Sequence, residues 1–338
     1  RSQRAGRRAH RQHRAAVMTA DFAPDATLAQ LARRAAALAN VRSFFQERAV
    51  MEVDPPALVN APVTDVNIHS AEVRLPGDAS RRFALHTSPE YAMKRLLAAG
   101  SGDIYFVGHV FRGAERGRLH NPEFTLIEWY RCGMTLAGLM QEVADLVTRL
   151  CGRSFEVEHI TYRAAFAREA GLDPFDAPLD ALAGVASALG LAAREIAASS
   201  RDELLELIMG AKVGPRLGAG ALTFVHNYPA TQAALARLDP SDPRTALRFE
   251  LYSGGIELAN GFDELADATE QRARFEADLR ERARRGLPQG PVDVRLLAAL
   301  TAGLPDCVGV AVGFDRVLMI AEGASRIDAV LPFTLERA

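Results

Sequence analysis

Apolar residues recur at helical spacing over 28–48, where Leu28, Leu31, Ala35, Leu38, Val41 and Phe45 predict one amphipathic face. Met51-Glu52-Val53-Asp54-Pro55-Pro56 follows as an extended segment, closed by prolines that cannot continue a helix. In His86-Thr87-Ser88-Pro89-Glu90 the serine suits an N-cap and the proline a first helical position, with Gly100 placed to end that helix. Ile104–Phe111 and residues 125–131 are strand-like, and the polar stretch between them, with its Gly and Pro, predicts an antiparallel hairpin. Helices are expected at 138–150, 161–170, 179–190 and 201–210. Strands return at 222–228 and 247–252, and Ser253-Gly254-Gly255 predicts a turn into another at 256–262. A charged helix over 264–285 places Arg272 with Glu276, Glu276 with Arg280 and Asp278 with Arg282 at i,i+4, and Gly286 and Pro288 stop it. A last strand near 307–312 runs into a helix starting near Phe314. Strands scattered among helices, joined by hairpins rather than regular βαβ units, predict an α+β fold on a mainly antiparallel β-sheet.

Composition narrows the class. With 49% hydrophobic and 24% charged residues the chain has the balance of a soluble globular protein. At 338 residues it can bury enough surface to need no disulfide or metal staple. Cys132, Cys151 and Cys307 lack metal-ligand spacing and suit a reducing compartment rather than a disulfide framework. No apolar run approaches the ~18 residues of a membrane span. The expectation is a cytoplasmic protein with no membrane partner. The net charge of −2 hides an asymmetry, because residues 1–14 hold six arginines and no acid. That segment lacks apolar periodicity, and Met18 offers a natural start. Residues 1–17 are therefore expected to be a disordered basic leader that need not be native, and residues 18–338 a single catalytic domain. The more acidic remainder argues against broad binding to a phosphate backbone.

Three segments carry candidate chemistry. Arg112 ends the first hairpin strand, where its guanidinium can grip a phosphate bidentately. The loop beyond it supplies Glu115, Arg116, Arg118, His120 and Asn121. In the second strand, alternation puts Glu128 and Tyr130 on one face and Trp129 and Arg131 on the other. Gly309-Val310-Ala311-Val312-Gly313-Phe314-Asp315-Arg316 combines small residues, which let backbone approach a ligand, with an arginine at a helix start that favours anions. Neither a GxGxxG nor a GxxxxGK[ST] pattern occurs. In Ile256-Glu257-Leu258-Ala259-Asn260-Gly261-Phe262-Asp263-Glu264, Asn260-Gly261 is expected to turn the chain and bring Glu257 and Glu264 together. Paired carboxylates suit Mg²⁺ bridging phosphates, or a substrate ammonium. Singly, each segment is more often plain structure: a solvated hairpin, a tight strand-to-helix turn, two exposed acids.

Together they resemble the catalytic domain of the class II aminoacyl-tRNA synthetases, in the lysyl branch. Residues 42–56 are similar to motif 1, with Pro56 its proline; Phe111-Arg112 through Glu128 resembles motif 2, and residues 313–316 resemble motif 3. His86-Thr87-Ser88-Pro89-Glu90-Tyr91, His120-Asn121-Pro122-Glu123-Phe124-Thr125, Glu128-Trp129-Tyr130-Arg131 and Ile256-Glu257-Leu258-Ala259-Asn260-Gly261-Phe262 look like the stand-alone lysyl-tRNA synthetase paralogues that modify elongation factor P. The resemblance runs from about residue 27 to the C-terminus. It implies the class II fold, an antiparallel sheet flanked by helices, as a homodimer joined around motif 1. It also implies an ATP-dependent, amide-forming ligase that activates (R)-β-lysine, or lysine, as the adenylate. The acceptor would be a lysine ε-amino group of elongation factor P, and the cofactors ATP and Mg²⁺.

By position, the resemblance implies that Arg112 holds the α-phosphate and Arg316 the γ-phosphate. Asn121, Glu257, Leu258 and Gly313 would meet the nucleotide. Ser88, Pro89, Glu90, Tyr130 and Glu264 would meet the amino acid, and Glu257 and Glu264 would be the magnesium acids. The chain departs from the family pattern twice. Where motif 2 usually reads Arg-x-Glu, it has Arg112-Gly113-Ala114 with Glu115 one place later, which leaves the adenine contact unassigned. Ala311 and Ala259 stand where lysyl-tRNA synthetases carry glycine, and the Ala311 methyl is expected to crowd the α-amino position of lysine and favour the β-isomer. Two other readings compete. A minimal lysyl-tRNA synthetase needs an anticodon-reading module. Fewer than thirty residues precede the resemblance, without a strand pattern or aromatic stacking surface, so no tRNA partner is expected. An inactive, synthetase-like regulatory subunit is disfavoured because Arg112, Glu257, Glu264 and Arg316 are all retained.

Overall fold

The computed structural model describes residues 22–78 and 81–338; the segment expected to be a basic leader lies outside the described residues. Helix α1, Leu28–Gln46, starts with a capping box in which the Thr27 side chain accepts the Gln30 N–H and the Gln30 side chain accepts the Thr27 N–H. Its Val41, Phe44 and Phe45 are buried, and the Phe45 ring stacks on Tyr105 with centroids 4.2 Å apart.

That helix packs on an eight-stranded sheet. In chain order the strands are β1 (Met51–Glu52), β5 (Ile104–Phe111), β6 (Glu123–Cys132), β7 (Glu156–Thr161), β8 (Ala221–Pro229), β9 (Thr245–Ser253), β10 (Ile256–Asp263) and β11 (Cys307–Gly313). Their spatial order is β1-β5-β6-β11-β10-β9-β8-β7. Only the two outermost pairs, β1 with β5 and β7 with β8, run parallel. The expected α+β, mainly antiparallel architecture is what forms. A small second sheet joins β2 (Leu58–Val59), β4 (Phe83–Leu85) and β3 (Glu72–Val73) in that order.

Strand alternation divides the large sheet into a sealed face and a working face. Ile127 and Trp129 of β6 and Val308, Val310 and Val312 of β11 sink into one core, with α1, α3 (Leu136–Cys151) and α10 (Phe314–Glu322). The alternate residues Leu126, Glu128 and Tyr130, and Gly309, Ala311 and Gly313, line a cleft on the other side. That side is walled by α2 (Glu90–Ala98), α8 (Ala268–Arg284) and α9 (Val294–Gly303), whose Met93, Leu97, Phe275, Leu296 and Leu300 form a second core with Leu126 and Tyr130. Helices α4 (Tyr162–Ala170), α5 (Leu179–Ala188), α6 (Ala193–Ala198) and α7 (Arg201–Ile208) come between β7 and β8; Phe166, Leu182, Leu205 and Ile208 cluster with Val225.

Four local expectations are corrected. Asn260 and Gly261 do not turn the chain; they sit inside β10, paired to both β9 and β11. Helix α8 starts at Ala268 rather than 264, because the Asp267 carboxylate accepts the N–H groups of Thr269 and Glu270 and caps it there. Its i,i+4 ion pairs also fall elsewhere than expected, at Glu270 with Arg274 and Glu281 with Arg285. Arg282 is buried and donates to the carbonyls of Asp65, Ile68 and Pro288, while Asp278 accepts the Thr64 hydroxyl at 2.7 Å. Helix α2 begins one residue later than expected, at Glu90, with the Ser88 hydroxyl accepting the Glu90 N–H at 3.0 Å.

One buried node ties the sealed face to the cleft. Asp315, at the start of α10, pairs with Arg34 of α1 and accepts the Thr125 N–H of β6 at 2.7 Å. Arg34 also donates to the Thr125 hydroxyl at 2.6 Å and the Val330 carbonyl at 3.2 Å. Removing one partner from a buried pair strands the other's charge. Asp315→Ala is therefore expected to cost about 3–5 kcal/mol of unfolding free energy in denaturant titrations. A loss below about 1 kcal/mol, the scale of a surface pair, would refute this role.

Candidate active site

The cleft encloses about 230 Å³ over β6, β11 and β10. Its floor is made of small residues because larger ones collide. A methyl group on Gly309 would lie 2.4 Å from a Glu264 carboxylate oxygen and 2.4 Å from the Tyr130 ring. Glycine there lets an acid from the end of β10 and a phenol from β6 meet across β11.

One end of the cleft is rich in arginine. Arg112, just beyond β5, pairs with Glu115 at 3.4 Å and lies over the Phe124 ring, 5.2 Å from its centroid. Arg316, in the first turn of α10, donates to the Glu257 carbonyl at 2.9 Å and reaches the Leu119 carbonyl at 3.4 Å. Its third contact is His120 Nε2, at 2.6 Å. A guanidinium has no acceptor, so Nε2 must be the acceptor and the imidazole neutral with its proton on Nδ1. Burial lowers the His120 pKa first, and the Arg316 and Arg112 charges add to that against Glu115. Glu257 is pushed up to about 7, by burial and then by Glu250, against the pull of Arg316, Arg248 and Arg112. Glu250 itself is fully engaged, accepting from Tyr228, Tyr252 and Arg248, each at 2.6 Å.

The other end is acidic and almost sealed. Glu128, Glu264 and Lys94 are each 1–2% exposed. The Ser88 hydroxyl donates to Glu128 at 2.6 Å and the Tyr130 hydroxyl donates to it at 2.8 Å. Lys94 bridges Glu90 at 2.8 Å and Glu264 at 2.6 Å. Burial, and then Glu90, push the Glu128 carboxyl up to about 8. Glu264 is also pushed to about 8, by burial first, with Lys94 pulling down and Glu90 and Glu128 pushing up. Three carboxyl groups facing one ammonium make a receptor for further positive charge.

Of the residues singled out in the sequence, Ser88, Glu90, Arg112, Asn121, Tyr130, Glu257, Leu258, Glu264, Gly313 and Arg316 all line this one cleft. Pro89 does not; it lines a neighbouring cavity. Asn121 spends both ends of its amide on the backbone, donating to the Glu123 carbonyl and accepting the Leu335 N–H. Glu257 and Glu264 share the cleft but are not brought together. Seven residues along and just past β10, extended except for a bulge between Glu257 and Ala259, separate them by roughly 20 Å at about 3.3 Å each. Among the described residues no group of three or more His, Cys, Asp or Glu side chains forms a metal cage. Lys94 was not anticipated. Its sequence signal was its type, since of 40 Lys and Arg residues only Lys94 and Lys212 are lysine.

This fold and cleft belong to a known class. The chain is a member of the class II tRNA synthetase family: residues 11–337 match the family described as tRNA synthetases class II (D, K and N). The match begins inside the segment expected to be a leader. The chain is 48% identical over 323 residues to the elongation factor P–(R)-beta-lysine ligase of Klebsiella pneumoniae (strain 342), covering 95% of this chain and 99% of that protein. It is 47% identical over 325 residues to the ligase of the same name from Vibrio cholerae, covering 95% and 100%. The Proteus mirabilis ligase is 46% identical over 324 residues. The resemblance drawn from the motifs is thereby borne out. Among the described residues no helix is long and apolar enough to cross a membrane.

Two outcomes are expected of the acidic end. With Glu128 and Glu264 near 8 in the fold against an ordinary 4.5, the folded form keeps protons that the unfolded chain has released. Their contribution to stability is full below about pH 4.5 and is lost as pH rises through about 8. Thermal unfolding of the ligand-free protein should thus fall between about pH 6 and pH 9, and fall less in Glu128→Gln; equal slopes would refute the assignment. Gly309→Ala should displace Glu264 or Tyr130 and weaken binding of a diamino acid at least about tenfold in thermal-shift titrations, and an unchanged affinity would count against the close approach.

Proposed function

We propose that this protein activates (R)-β-lysine as its adenylate, at the expense of ATP, and transfers the β-lysyl group to a lysine ε-amino group of elongation factor P. The supporting observation is the polarity of the cleft, with Arg112 and Arg316 at one end and Glu90, Glu128 and Glu264 around Lys94 at the other. Near-full-length identity of 46–48% to ligases of that name supports the same reading.

In the first step the amino acid's carboxylate attacks the α-phosphorus of ATP and pyrophosphate leaves. Arg112 and Arg316 stabilise the charge that develops on phosphate oxygens, and Leu258 and Gly313 bound the nucleotide. No protein nucleophile is required, because positioning and preorganised cations supply the catalysis. In the second step the acceptor amine attacks the adenylate carbonyl, an amide bond forms and AMP leaves. Ser88 and Tyr130 act by fixing Glu128, and the acids recognise the ammonium groups, whose partners would otherwise stay buried and unpaired.

A magnesium ion fits the residues at the arginine end. Glu257 is a hard oxygen donor whose raised pKa a divalent cation would relieve, and Mg²⁺ is usually held by one or two carboxylates plus substrate phosphates. It would supply charge neutralisation between phosphates. Glu264 does not fit the same ion, because it is committed to Lys94 at the far end. The family resemblance implies a homodimer joined around residues 42–56, and light scattering at twice the chain mass is the expected result.

In parallel incubations of the purified protein with elongation factor P, ATP and one or the other lysine isomer, (R)-β-lysine is expected to add one β-lysyl group, detected by intact mass, and L-lysine to react more slowly. Efficient charging of bulk tRNA without modification of elongation factor P would overturn the reading. Arg112→Ala and Arg316→Ala should each lower amino-acid-dependent ATP–pyrophosphate exchange by about 10²–10³-fold. Ala311 pairs with Glu128 in the sheet register and lines the cleft, so Ala311→Gly should shift the exchange preference toward lysine. An unchanged isomer preference would remove Ala311 from the specificity argument.

A further inference from the structure

Resting on that reading of the acidic end, we propose that Lys94 is a positioning residue that sets the charge and the free oxygens of the amino-acid pocket. Lys94 stands one helical turn after Glu90 on α2, and this i,i+4 spacing aims its ammonium between Glu90 and the acid that follows β10. At 1% exposure it is out of reach of solvent. It binds Glu90 through Oε1 and Glu264 through Oε2, which leaves the second oxygen of each carboxylate to a ligand. A compact ammonium with three donors can fill this gap, whereas the broad planar fork of arginine, used nearly everywhere else in the chain, cannot be substituted without moving both acids.

Charge counting gives the consequence. Glu90, Glu128 and Glu264, fully ionised, carry three negative charges, and Lys94 reduces the excess to two. A substrate head with two ammonium groups neutralises that excess. A head with one leaves a negative charge that only a proton on a carboxyl can remove. Without Lys94 the excess is three, and Glu128 and Glu264, already pushed up by burial, hold their protons more tightly against the substrate. The ionisable groups facing this space are Glu90 from α2, Glu128 and Tyr130 from β6, Glu264 after β10 and Cys307 of β11. Lys94 thus acts through Glu90 and Glu264, not on the reacting atoms.

The test is Lys94→Met, assayed by ATP–pyrophosphate exchange with (R)-β-lysine and with L-lysine across pH. The expected result is a KM for the amino acid raised at least about tenfold, with the KM for ATP within about twofold of the parent. The pH profile of kcat/KM for the amino acid should also move to higher pH, because the substrate must now displace protons. A parent-like KM and profile would overturn the proposal, as would equal losses for ATP and amino acid, which would mark a general structural defect. If Lys94→Met does not fold, Lys94→Met/Glu264→Gln removes the stranded acid. Its amino-acid KM should match that of Glu264→Gln alone, and a further independent loss would refute action through Glu264. If the parent shows no exchange with either isomer, the ligase reading fails separately. Thermal-shift titration of parent and Lys94→Met with the same two amino acids then decides the role of Lys94, equal shifts counting against it.

Discussion

The Asp315 carboxylate is the constraint on which the geometry of the cleft depends. It is held from one side by Arg34 of α1 and from the other by the Thr125 backbone of β6, in a place closed to water. Each neighbour of this node is a working residue. Arg316 follows Asp315 on α10, and Phe124, over which Arg112 lies, precedes Thr125 on β6. Fixing Asp315 therefore fixes how the two arginines stand relative to one another, although they are far apart in sequence. A buried ion pair is weak evidence for net stability. Its value here is register: a one-residue slip of β6 against β11 would move Glu128 and Tyr130 from the cleft into the core and expose Trp129.

The two faces of the sheet carry opposite demands. The sealed face needs volume, which Trp129, Val308, Val310 and Val312 supply. The working face needs emptiness, which Gly309, Ala311 and Gly313 supply on the same strand. A single strand of alternating valines and small residues meets both demands at once. Emptiness then permits charge. Because Gly309 has no side chain, Glu264 and Tyr130 approach across it, and with Glu128 and Glu90 they form an acidic end in which burial pushes the Glu128 and Glu264 carboxyls up to about 8.

Much of this was legible in the sequence because it is local. The hairpin of Arg112, the alternation of Glu128 with Trp129 and the strand-to-helix turn at Phe314 follow from period-2 patterning and helix-start chemistry. What was not legible depended on distant partners. Asn260-Gly261 has strong turn character, but strands on both sides claim its backbone, and pairing overrides local preference. Arg282 of α8 reads as the i,i+4 partner of Asp278 until the carbonyls of Asp65 and Ile68 are found on it. The strands of β2, β3 and β4 are two or three residues long, too short to show a period. Lys94 was the costliest omission. A lysine at i,i+4 from a glutamate is ordinarily a surface pair, and only the burial of this lysine together with Glu264 gives it weight.

The continuous run of β10, bulged only between Glu257 and Ala259, changes what its two acids are for. Brought together by a turn, Glu257 and Glu264 would have been one metal site. Held apart along the strand, they belong to opposite ends of the cleft and answer different cations. Glu257 lies among Arg316, Arg248 and Arg112, where its carbonyl already holds Arg316. Glu264 lies with Lys94, Glu90 and Glu128. The strand thereby acts as a spacer between a phosphate end and an ammonium end. Its position is locked because Gly261 packs so tightly that a methyl group there would come within 2.5 Å of the Phe249 ring and 3.0 Å of the Gly309 carbonyl. A shift of β10 would have to move both ends together. On the proposed reading, the same stretch of backbone would hold nucleotide and amino acid at one fixed separation, the arrangement an in-line attack of one on the other requires.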